Sequence, residues 1–385
     1  MNTDSWSESQ ANVFAAARTA LESGQPAVLA TVVDVEGNAY RRPGAKMIVS
    51  ADGDGVGNVT AGCLEDEILT LARDVIERDE PRVETYDLTG DDDVWGLGVG
   101  CNGIVDVLLE PLSESLRPIL RADEQRTGIG VVTVVETTVD GLATGDRAYV
   151  GAVDPTTYTA DSNETLVEQL PEHVHEELPA LIDRGAGAAV GFETDTGTTT
   201  VFVDGIAPPP ELVVLGTGND VGPVVDLATR NEFRVTVVGF RGGTDPEERF
   251  PAAAAGETTS PRSLPDVHDF DDHTYVVAMT HNFVDDRLAV EALLSTDVPY
   301  VGLLGPQERF EEMLEEFEAE GRTLSEPELR RVFTPVGLDL GGGTPYQIAH
   351  SIVSEVLSVH NGTEPGHLRD RSGPIHERVD LSKRG

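Results

Sequence analysis

Residues 211–231, ELVVLGTGNDVGPVVDLATRN, decide the fold of the C-terminal half of the chain. The run ELVVLG predicts a strand, and a glycine turn and a predicted helix, VGPVVDLATRN, follow it. The alternation continues with strands at RVTVVGF, YVVAMTH and YVGLL and with helices at DDRLAVEALL, PQERFEEMLEEFEAEG and PYQIAHSIVSEVLSVH. Strands that alternate with helices indicate a parallel sheet covered by helices. We therefore predict an α/β protein with a doubly wound, Rossmann-type domain over residues 208–360.

The turn of this domain predicts a nucleotide-like ligand. Gly216 permits a tight turn, and Gly218 lets the backbone approach a phosphate at the helix N-terminus, beside Asn219. The acid that binds the ribose hydroxyls of NAD is missing, because Gly239 ends the next strand, and Arg241 nearby is a candidate for a phosphate contact. Ligand binding is favoured over a turn that serves folding alone.

Two further residues belong to the expected carboxyl ends of these strands. His281 ends the strand YVVAMTH, where ligands gather in doubly wound sheets. A site residue and a hydrogen-bonded core histidine are both open interpretations, and no proton-relay partner for His281 is evident in the sequence. Thr344 is a candidate N-cap with Pro345 in the first helical position. A second anion site there is less favoured than a well-formed helix start.

The N-terminal part, residues 1–112, predicts a second, small α/β domain. Its pattern gives a helix at ANVFAAARTALES, a strand at PAVLATVVDV, a hairpin at KMIVSADGDGVGNV, a helix at LEDEILTLARDVIER and a strand at GIVDVLLEP. Residues 113–207 form a β-rich, acidic middle segment with a helical stretch over 163–183. The prolines 208–210 then mark a linker, and residues 361–385 are expected to be a disordered tail.

A basic cluster in the N-terminal domain predicts an anion site. The motif RRPGAKM contains Arg42, Gly44 and Lys46, and the chain has only one other lysine, Lys383. Positive side chains gathered within so acidic a sequence are better explained by a bound anion than by a solvated surface.

Both cysteines of the chain stand beside glycines. Cys63 precedes a predicted helix, whose N-terminal dipole favours the thiolate, and Glu65 follows it. Cys101 lies in the glycine-rich loop GVGCNG, which ends at Gly103. Free cysteines are commonly small buried apolar residues, but the flanking glycines favour a functional role. The spacing gives no disulfide framework and no zinc motif.

The charge of the chain excludes several classes of protein. Against 69 Asp and Glu residues stand 27 Lys and Arg residues, so the net charge is −42, spread along the whole sequence. This favours adaptation to a salt-rich cytoplasm, where the Debye length falls to about 3 Å at 1 M salt. A nucleic-acid partner is not expected without a basic footprint. With no long apolar run and no signal-peptide pattern at MNTDSWSESQ, we expect a halophilic, cytoplasmic protein with no membrane contact.

Taken together, these motifs resemble the XdhC and CoxI family, accessory proteins that mature molybdenum hydroxylases such as xanthine dehydrogenase. The resemblance rests on YRRPGAKMIV, GNVTAGCLEDEI, GLGVGCNGIVDVLLEP, LVVLGTGNDVGPVVDLA, RVTVVGFR, MTHNFVDDRLAVEALL, YVGLLGP and TPVGLDLGGGTPYQIAHSIVSEVL. The chain departs from the family pattern at Ala61 and Asn102, where glycines are usual, and at Gly239, where an acid is usual.

The resemblance implies a maturation chaperone that binds the molybdenum cofactor (molybdopterin), protects its sulfurated form and inserts it into a hydroxylase, without turnover of its own. Its implied partners are the large subunit of a molybdenum hydroxylase and a cysteine desulfurase, and a homodimer is a weaker expectation. Cys63 and Cys101 become candidates for contact with molybdenum. The alternative is an oxidoreductase that uses NAD(P) on the Rossmann-type domain. The residues predicted to bind cofactor are Arg42, Gly44, Lys46, Cys63, Glu65, Cys101, Gly103, Gly216, Gly218, Asn219, Arg241, His281 and Thr344.

Overall fold

The computed structural model describes residues 8–37, 39–62, 64–88, 103–151, 157–243, 245–372 and 381. The chain divides into two compact units. One comprises Met1–Pro208 together with Ser372–Gly385, and the other comprises Pro209–Arg371. The division therefore falls within the run of three prolines. The four-part division predicted from the sequence is finer than this one and stays a prediction.

The first unit begins with a five-stranded antiparallel sheet, sheet A, whose strand order is β3-β2-β1-β5-β4. Helix α2 carries apolar residues at helical spacing, and these pack with sheet A in one core cluster. The elements are α1 (Gln10–Ser23), β1 (Ala27–Gly37), β2 (Lys46–Ser50), β3 (Gly55–Gly57), α2 (Glu65–Arg78), β4 (Arg82–Asp87) and β5 (Gly103–Pro111).

The middle segment folds as a second antiparallel sheet, sheet B, with the order β7-β6-β9-β8. Its predicted helical stretch is two helices, because Pro171 lies between them as the N-cap of the second. The elements are α3 (Arg117–Gln125), β6 (Ile129–Thr137), β7 (Arg147–Gly151), α4 (Glu164–Gln169), α5 (Glu172–Arg184), β8 (Gly187–Thr194) and β9 (Gly197–Ile206).

Sheets A and B share one hydrophobic core. Phe14 and Leu29 of the N-terminal part belong to the same buried cluster as Val131 and Tyr149 of sheet B. Leu381 is also buried, in the cluster between α5 and sheet B. This apolar residue lies in the segment expected to be a disordered tail, so the expectation does not hold for Leu381.

The second unit has a six-stranded sheet, sheet C, in which every neighbouring pair is parallel and the order is β12-β11-β10-β13-β14-β15. The strand order reverses between β10 and β13. The elements are β10 (Glu211–Leu215), α6 (Val221–Arg230), β11 (Arg234–Gly239), α7 (Pro246–Arg249), β12 (Ala255–Thr258), α8 (Leu264–Val267), β13 (Thr274–Ala278), α9 (Phe283–Leu293), β14 (Tyr300–Leu303), α10 (Gln307–Ala319), α11 (Glu326–Arg330), β15 (Val332–Phe333) and α12 (Pro345–His360).

Both faces of sheet C are covered by helices. Alternate residues of a strand point to opposite faces, so Leu212 and Val214 join the core under α6 and α12, whereas Val213 and Leu215 join the core under α9 and α10. This arrangement confirms the predicted α/β class and the doubly wound, Rossmann-type C-terminal domain. Within the described residues, every helix is too short or too polar to traverse a lipid bilayer.

Candidate functional site

Gly103, one of the predicted site residues of the first unit, lies at one end of sheet A. There, β1 ends at Gly37 opposite Gly103, the first residue of β5, and the backbone N–H of Leu88 donates to the Gly103 carbonyl over 2.9 Å. Lys46, which begins β2, pairs with Thr31, six residues before this end of β1, and therefore lies within the sheet. β3 ends at Gly57, which pairs with Met47 at the level of Ala30. The structure thus brings the start of the β1–β2 loop next to both ends of the β4–β5 loop.

Both cysteines lie outside the described residues. Cys63 falls between β3 and α2, and Cys101 falls between β4 and β5, two residues before Gly103. Their predicted roles as thiolates and as molybdenum contacts therefore stay predictions.

Glu65, the first residue of α2, holds the loop that precedes the helix. The residue is 4% exposed, and its carboxylate accepts hydrogen bonds from the Thr60 hydroxyl at 2.7 Å, the Thr60 backbone at 3.2 Å and the Leu64 backbone at 3.0 Å. A carboxylate at this position also interacts favourably with the helix dipole. The hydrogen bonds of Glu65 therefore stabilise the loop, and Glu65 affects a ligand site there only by positioning that loop.

Lys46 does not present its charge to solvent. Its Nζ lies 2.6 Å from Oδ2 of Asp204 in sheet B and 2.9 Å from the Gly44 carbonyl, and the lysine side chain is 3% exposed. Gly44 has a φ of +97°, and a Cβ at this position would lie 3.2 Å from Oδ1 of Asp204. The interpretation of Lys46 as a contact for an external anion is thus unfavourable, because a carboxylate of the same unit already neutralises it.

A second buried ion pair accompanies the first. The Arg147 guanidinium contacts both carboxylate oxygens of Glu110, and both side chains are almost fully buried. A cavity of about 20 Å³, enough for one water molecule, is lined by both pairs. These charges connect sheet A to sheet B. On the RRPGAKM loop, the exposed cation is Arg42, beside the half-buried Arg41.

The sequence pattern did not identify two further residues near the end of sheet A at Gly37 and Gly103. Tyr86, near the end of β4, is buried, and Glu67 lies in the first turn of α2. Burial raises the pKa of Glu67, and the charge of Glu84 raises it further. Burial raises the pKa of the Tyr86 phenol, and the negative charges of Glu67 and Glu84 raise it further. The positive charge of Arg82 has a smaller, lowering effect on this pKa. The strand that carries Tyr86 was not predicted, so nothing placed this phenol near the site.

In the second unit, the glycine turn after β10 lies close to the end of β13. The Gly216 N–H donates to the Val238 carbonyl over 2.8 Å. Gly216 has a φ of +131°, and a Cβ there would lie 2.5 Å from the Met279 carbonyl oxygen. Both the backbone conformation and the close approach require glycine. The predicted tight turn is present at the carboxyl end of the strands.

His281 has a partner after all. Its Nε2 lies 2.8 Å from Oδ2 of Asp220, which precedes α6, and its backbone φ is +55°. The expectation that no proton-relay partner stands beside His281 is wrong, because the fold brings together two residues that are 61 positions apart. A left-handed backbone at a residue other than glycine is uncommon, although histidine adopts it more readily than most residues do.

The carboxylate of Asp286 holds the loop that carries His281 in place. The Thr280 hydroxyl donates to Oδ1 of Asp286 over 2.5 Å, and Arg309 pairs with the other oxygen. Burial raises the pKa of Asp286 despite the opposing effects of Thr280 and Arg309. The bonds of this buried carboxylate hold the loop that carries His281 at the carboxyl ends of the strands of sheet C.

The remaining predicted residues have partners of their own. Oδ1 of Asn219 accepts from Arg249 at 2.7 Å, and Arg241 forms a 3.1 Å ion pair with Asp285. Thr344 is the N-cap of α12, with a complete capping box, so the favoured interpretation as a helix start agrees with the geometry.

The space at the position of the missing ribose acid is narrow. A Cβ on Gly239 would lie 3.2 Å from the Thr217 side chain, which is a tight approach, and 3.5 Å from the ring of Pro246, which is an ordinary contact. The Asp220 carboxylate also stands beside the start of α6, where a nucleotide phosphate would otherwise meet backbone N–H groups.

The second unit is a doubly wound domain with a histidine at its strand ends, and in the first unit the β1–β2 and β4–β5 loops meet at one end of sheet A. This combination defines a class of ligand-binding protein with two candidate sites. Residues 20–87 match the model of the XdhC and CoxI family, and residues 212–356 match the model of the XdhC Rossmann domain. The chain belongs to the XdhC and CoxI family.

Known relatives extend this assignment. The chain is 27% identical over 340 residues to a probable xanthine dehydrogenase subunit of Bacillus subtilis (strain 168), covering 88% of this chain and 94% of that one. It is 33% identical over 115 residues to the molybdenum cofactor insertion chaperone PaoD of Escherichia coli (strain K12), covering 29% of this chain and 35% of PaoD. The crystal structure of a xanthine dehydrogenase from Bacillus halodurans superposes with a TM-score of 0.72 at 26% identity, covering 91% of this chain and 96% of that one.

Proposed function

We propose that this protein binds the molybdenum cofactor and inserts it, in its sulfurated form, into a molybdenum hydroxylase of the xanthine dehydrogenase or CO dehydrogenase type. The observation that carries the proposal is the meeting of the β1–β2 and β4–β5 loops at one end of sheet A, in a chain related to a protein named a molybdenum cofactor insertion chaperone. The cofactor is the cargo of the protein, and no turnover is required.

The described residues fit such a cargo at its polar parts. Molybdopterin carries a phosphate, which suits the exposed Arg42, and a heterocycle with hydrogen-bonding edges, which suits the polar atoms beneath the loops. Within the described ranges, no group of three His, Cys, Asp or Glu side chains could hold a metal ion. The metal would arrive with the cofactor's own sulfur ligands. We assign the thiolates of Cys63 and Cys101 as the protein groups that meet this soft centre.

The proposed partners follow from the same role. The client is the large subunit of a molybdenum hydroxylase, and a cysteine desulfurase supplies the sulfur that makes the cofactor active. We further propose that the protein works in a salt-rich cytoplasm and that it forms a homodimer. A net charge of −42 keeps such a protein soluble where salt screens the repulsion between carboxylates.

A transfer assay tests the proposal. The protein is loaded with sulfurated cofactor in multimolar salt and mixed with apo-hydroxylase, and the appearance of hydroxylase activity is followed over time. We expect transfer to be faster than with free cofactor, and we expect the Cys101→Ser and Cys63→Ser variants to bind and protect less cofactor. Equal cofactor retention by Cys101→Ser and the unmodified protein would refute the role of that thiolate, and the same test applies to Cys63.

One observation favours an alternative, an NAD(P)-dependent oxidoreductase. The His281–Asp220 pair supplies the proton relay that such an enzyme needs. The missing ribose acid at Gly239 and the Asp220 carboxylate at the start of α6 oppose NAD(P) binding. A thermal shift in high salt decides between the two functions, because a ligand at a hundredfold excess over its Kd stabilises a protein by about 2.7 kcal/mol. We expect no shift with NAD(H) or NADP(H).

A further inference from the structure

Tyr86 and Glu67 each have a buried polar atom that makes no hydrogen bond within the described residues. The Tyr86 side chain is buried, with an exposed fraction of 5%, and its hydroxyl has no hydrogen-bond partner among the described residues. Oε2 of Glu67 is buried and unpartnered in the same part of the chain. Unpaired buried polar atoms are rare because burial removes their bonds to water without replacement.

The other carboxylate that acts on Tyr86 is already engaged, because Glu84 forms an ion pair with Arg82. Glu67 is thus the carboxylate near the phenol with an oxygen left over. Within the described ranges, no hydrogen bond joins Glu67 to Tyr86. A third group that reaches both atoms would satisfy them.

Their place in the fold locates that group. Glu67 is three residues beyond Leu64, in the first turn of α2, and Tyr86 pairs with Val105 close to the start of β5. Tyr86 thus lies near the end of sheet A at Gly37 and Gly103, where the β1–β2 and β4–β5 loops meet, and Glu67 is close enough to act on its phenol. Tyr86 also belongs to the core cluster that contains Ala45 and Leu64.

We propose that the Tyr86 hydroxyl and the Glu67 carboxylate together bind a cyclic amide edge, a carbonyl beside an N–H group, on the cofactor that this protein carries. This inference rests on the proposed function. The phenol donates to the ligand's carbonyl oxygen, and the ionised Glu67 accepts from the neighbouring N–H group. The pterin ring has such an edge, and so does the guanine base of a dinucleotide form of the cofactor.

Tyr86→Phe separates this role from a structural one. Removing an unpaired buried hydroxyl leaves no partner stranded, so the cofactor-free variant should be as stable as the unmodified protein, or more stable. Its affinity for cofactor should fall by about threefold to tenfold, the loss expected for one hydrogen bond. The matched control is Tyr149→Phe, since Tyr149 is also buried in this unit but donates to the Ser115 carbonyl. The control should lose stability and keep its affinity for cofactor.

Two forms of cofactor distinguish the two sources of the amide edge. Equal weakening of the mononucleotide-like and dinucleotide forms by Tyr86→Phe assigns the pterin ring, whereas weakening of the dinucleotide form alone assigns the guanine base. Unchanged affinity for both forms overturns the inference and leaves the proposed function standing. Failure of the unmodified protein to bind either form removes the proposed function, and this inference with it.

Glu67→Gln gives an independent test through pH. From β4, Glu84 and Tyr86 face Glu67, and Arg82 is paired to Glu84. Because an ionised acceptor is needed, cofactor affinity should fall as pH drops through the raised pKa of Glu67. The Glu67→Gln variant should bind at least about tenfold more weakly at neutral pH and lose that part of the pH dependence. A variant with the pH profile of the unmodified protein would contradict the assignment.

Discussion

Replacing Lys46 by Met should destabilise the first unit strongly, because it leaves the buried Asp204 carboxylate without its counter-charge. The ammonium and the carboxylate are 2.6 Å apart, with 3% and 8% of their side chains exposed, so water cannot replace the lost partner. Removing one member of a buried pair costs about 3–5 kcal/mol. Lys46→Met should therefore lower the free energy of unfolding of this unit by an amount in that range.

Urea unfolding at fixed, high KCl measures this loss. Amide hydrogen exchange of β2 and β9 at each urea concentration follows this unit separately from the second. The midpoint should fall with little change in the slope against urea. The double variant Lys46→Met with Asp204→Leu should recover much of the loss, since no charge is then left unpaired.

A surface ion pair supplies the control. Arg121 and Asp161 are 2.8 Å apart, but more than half of each side chain is exposed. Arg121→Met should cost less than about 1 kcal/mol. A loss for Lys46→Met no larger than that of Arg121→Met would refute the structural interpretation of Lys46 and restore it as a candidate contact for an external anion.

Three further predictions concern the second unit. Gly216→Ala should destabilise it by more than about 1 kcal/mol, because the new Cβ would meet the Met279 carbonyl at 2.5 Å in a left-handed backbone; thermal unfolding measures this, and unchanged stability would contradict the geometry. Burial lowers the pKa of His268, but the interaction with Glu211, followed by that with Glu257, outweighs this effect and the pKa is raised above 6.5. Its stabilising effect should thus be complete below pH 6.5 and fade as pH rises through the raised pKa, and a His268→Gln variant that keeps this slope in urea unfolding would contradict the assignment. Thr344→Ala should lower the free energy of unfolding by about 1 kcal/mol through loss of the α12 cap. Thr344→Ser keeps a capping hydroxyl and should therefore have the stability of the unmodified protein in thermal unfolding.

The parts of the fold that follow from local pattern were predictable. Residues 211–231 contain a strand, a glycine turn and a helix in succession, and each is encoded by its own neighbours. The short edge strands β12 and β15 were not predicted. Their four and two residues carry too little periodicity to register as strands.

The site was harder to predict because its contacts join distant parts of the chain. Lys46 looked available to an anion, yet its partner Asp204 lies 158 residues further on in sheet B. For the same reason, the sequence did not show that Asp220 lies beside His281, 61 positions further on. The basic composition of RRPGAKM predicted an anion site, but composition cannot show which way a side chain points or which carboxylate reaches it.

Glu65 and Glu67 show the same limit at short range. Both lie in the first turn of α2, where acidic residues are favoured by the helix dipole whatever else they do. Glu65 closes the preceding loop, whereas Glu67 keeps an unpaired oxygen beside Tyr86. Separating these roles required the position of β4, which the sequence pattern did not indicate.

The most direct test of the cofactor-carrier role is the cofactor content of the protein itself. The protein is purified from molybdate-supplied cells in multimolar salt, and bound molybdenum is measured by elemental analysis beside released pterin by fluorescence. We expect near-stoichiometric molybdenum with pterin, reduced together in the Cys101→Ser variant. Protein that is free of both, and that also fails to take up added cofactor, would contradict the carrier function.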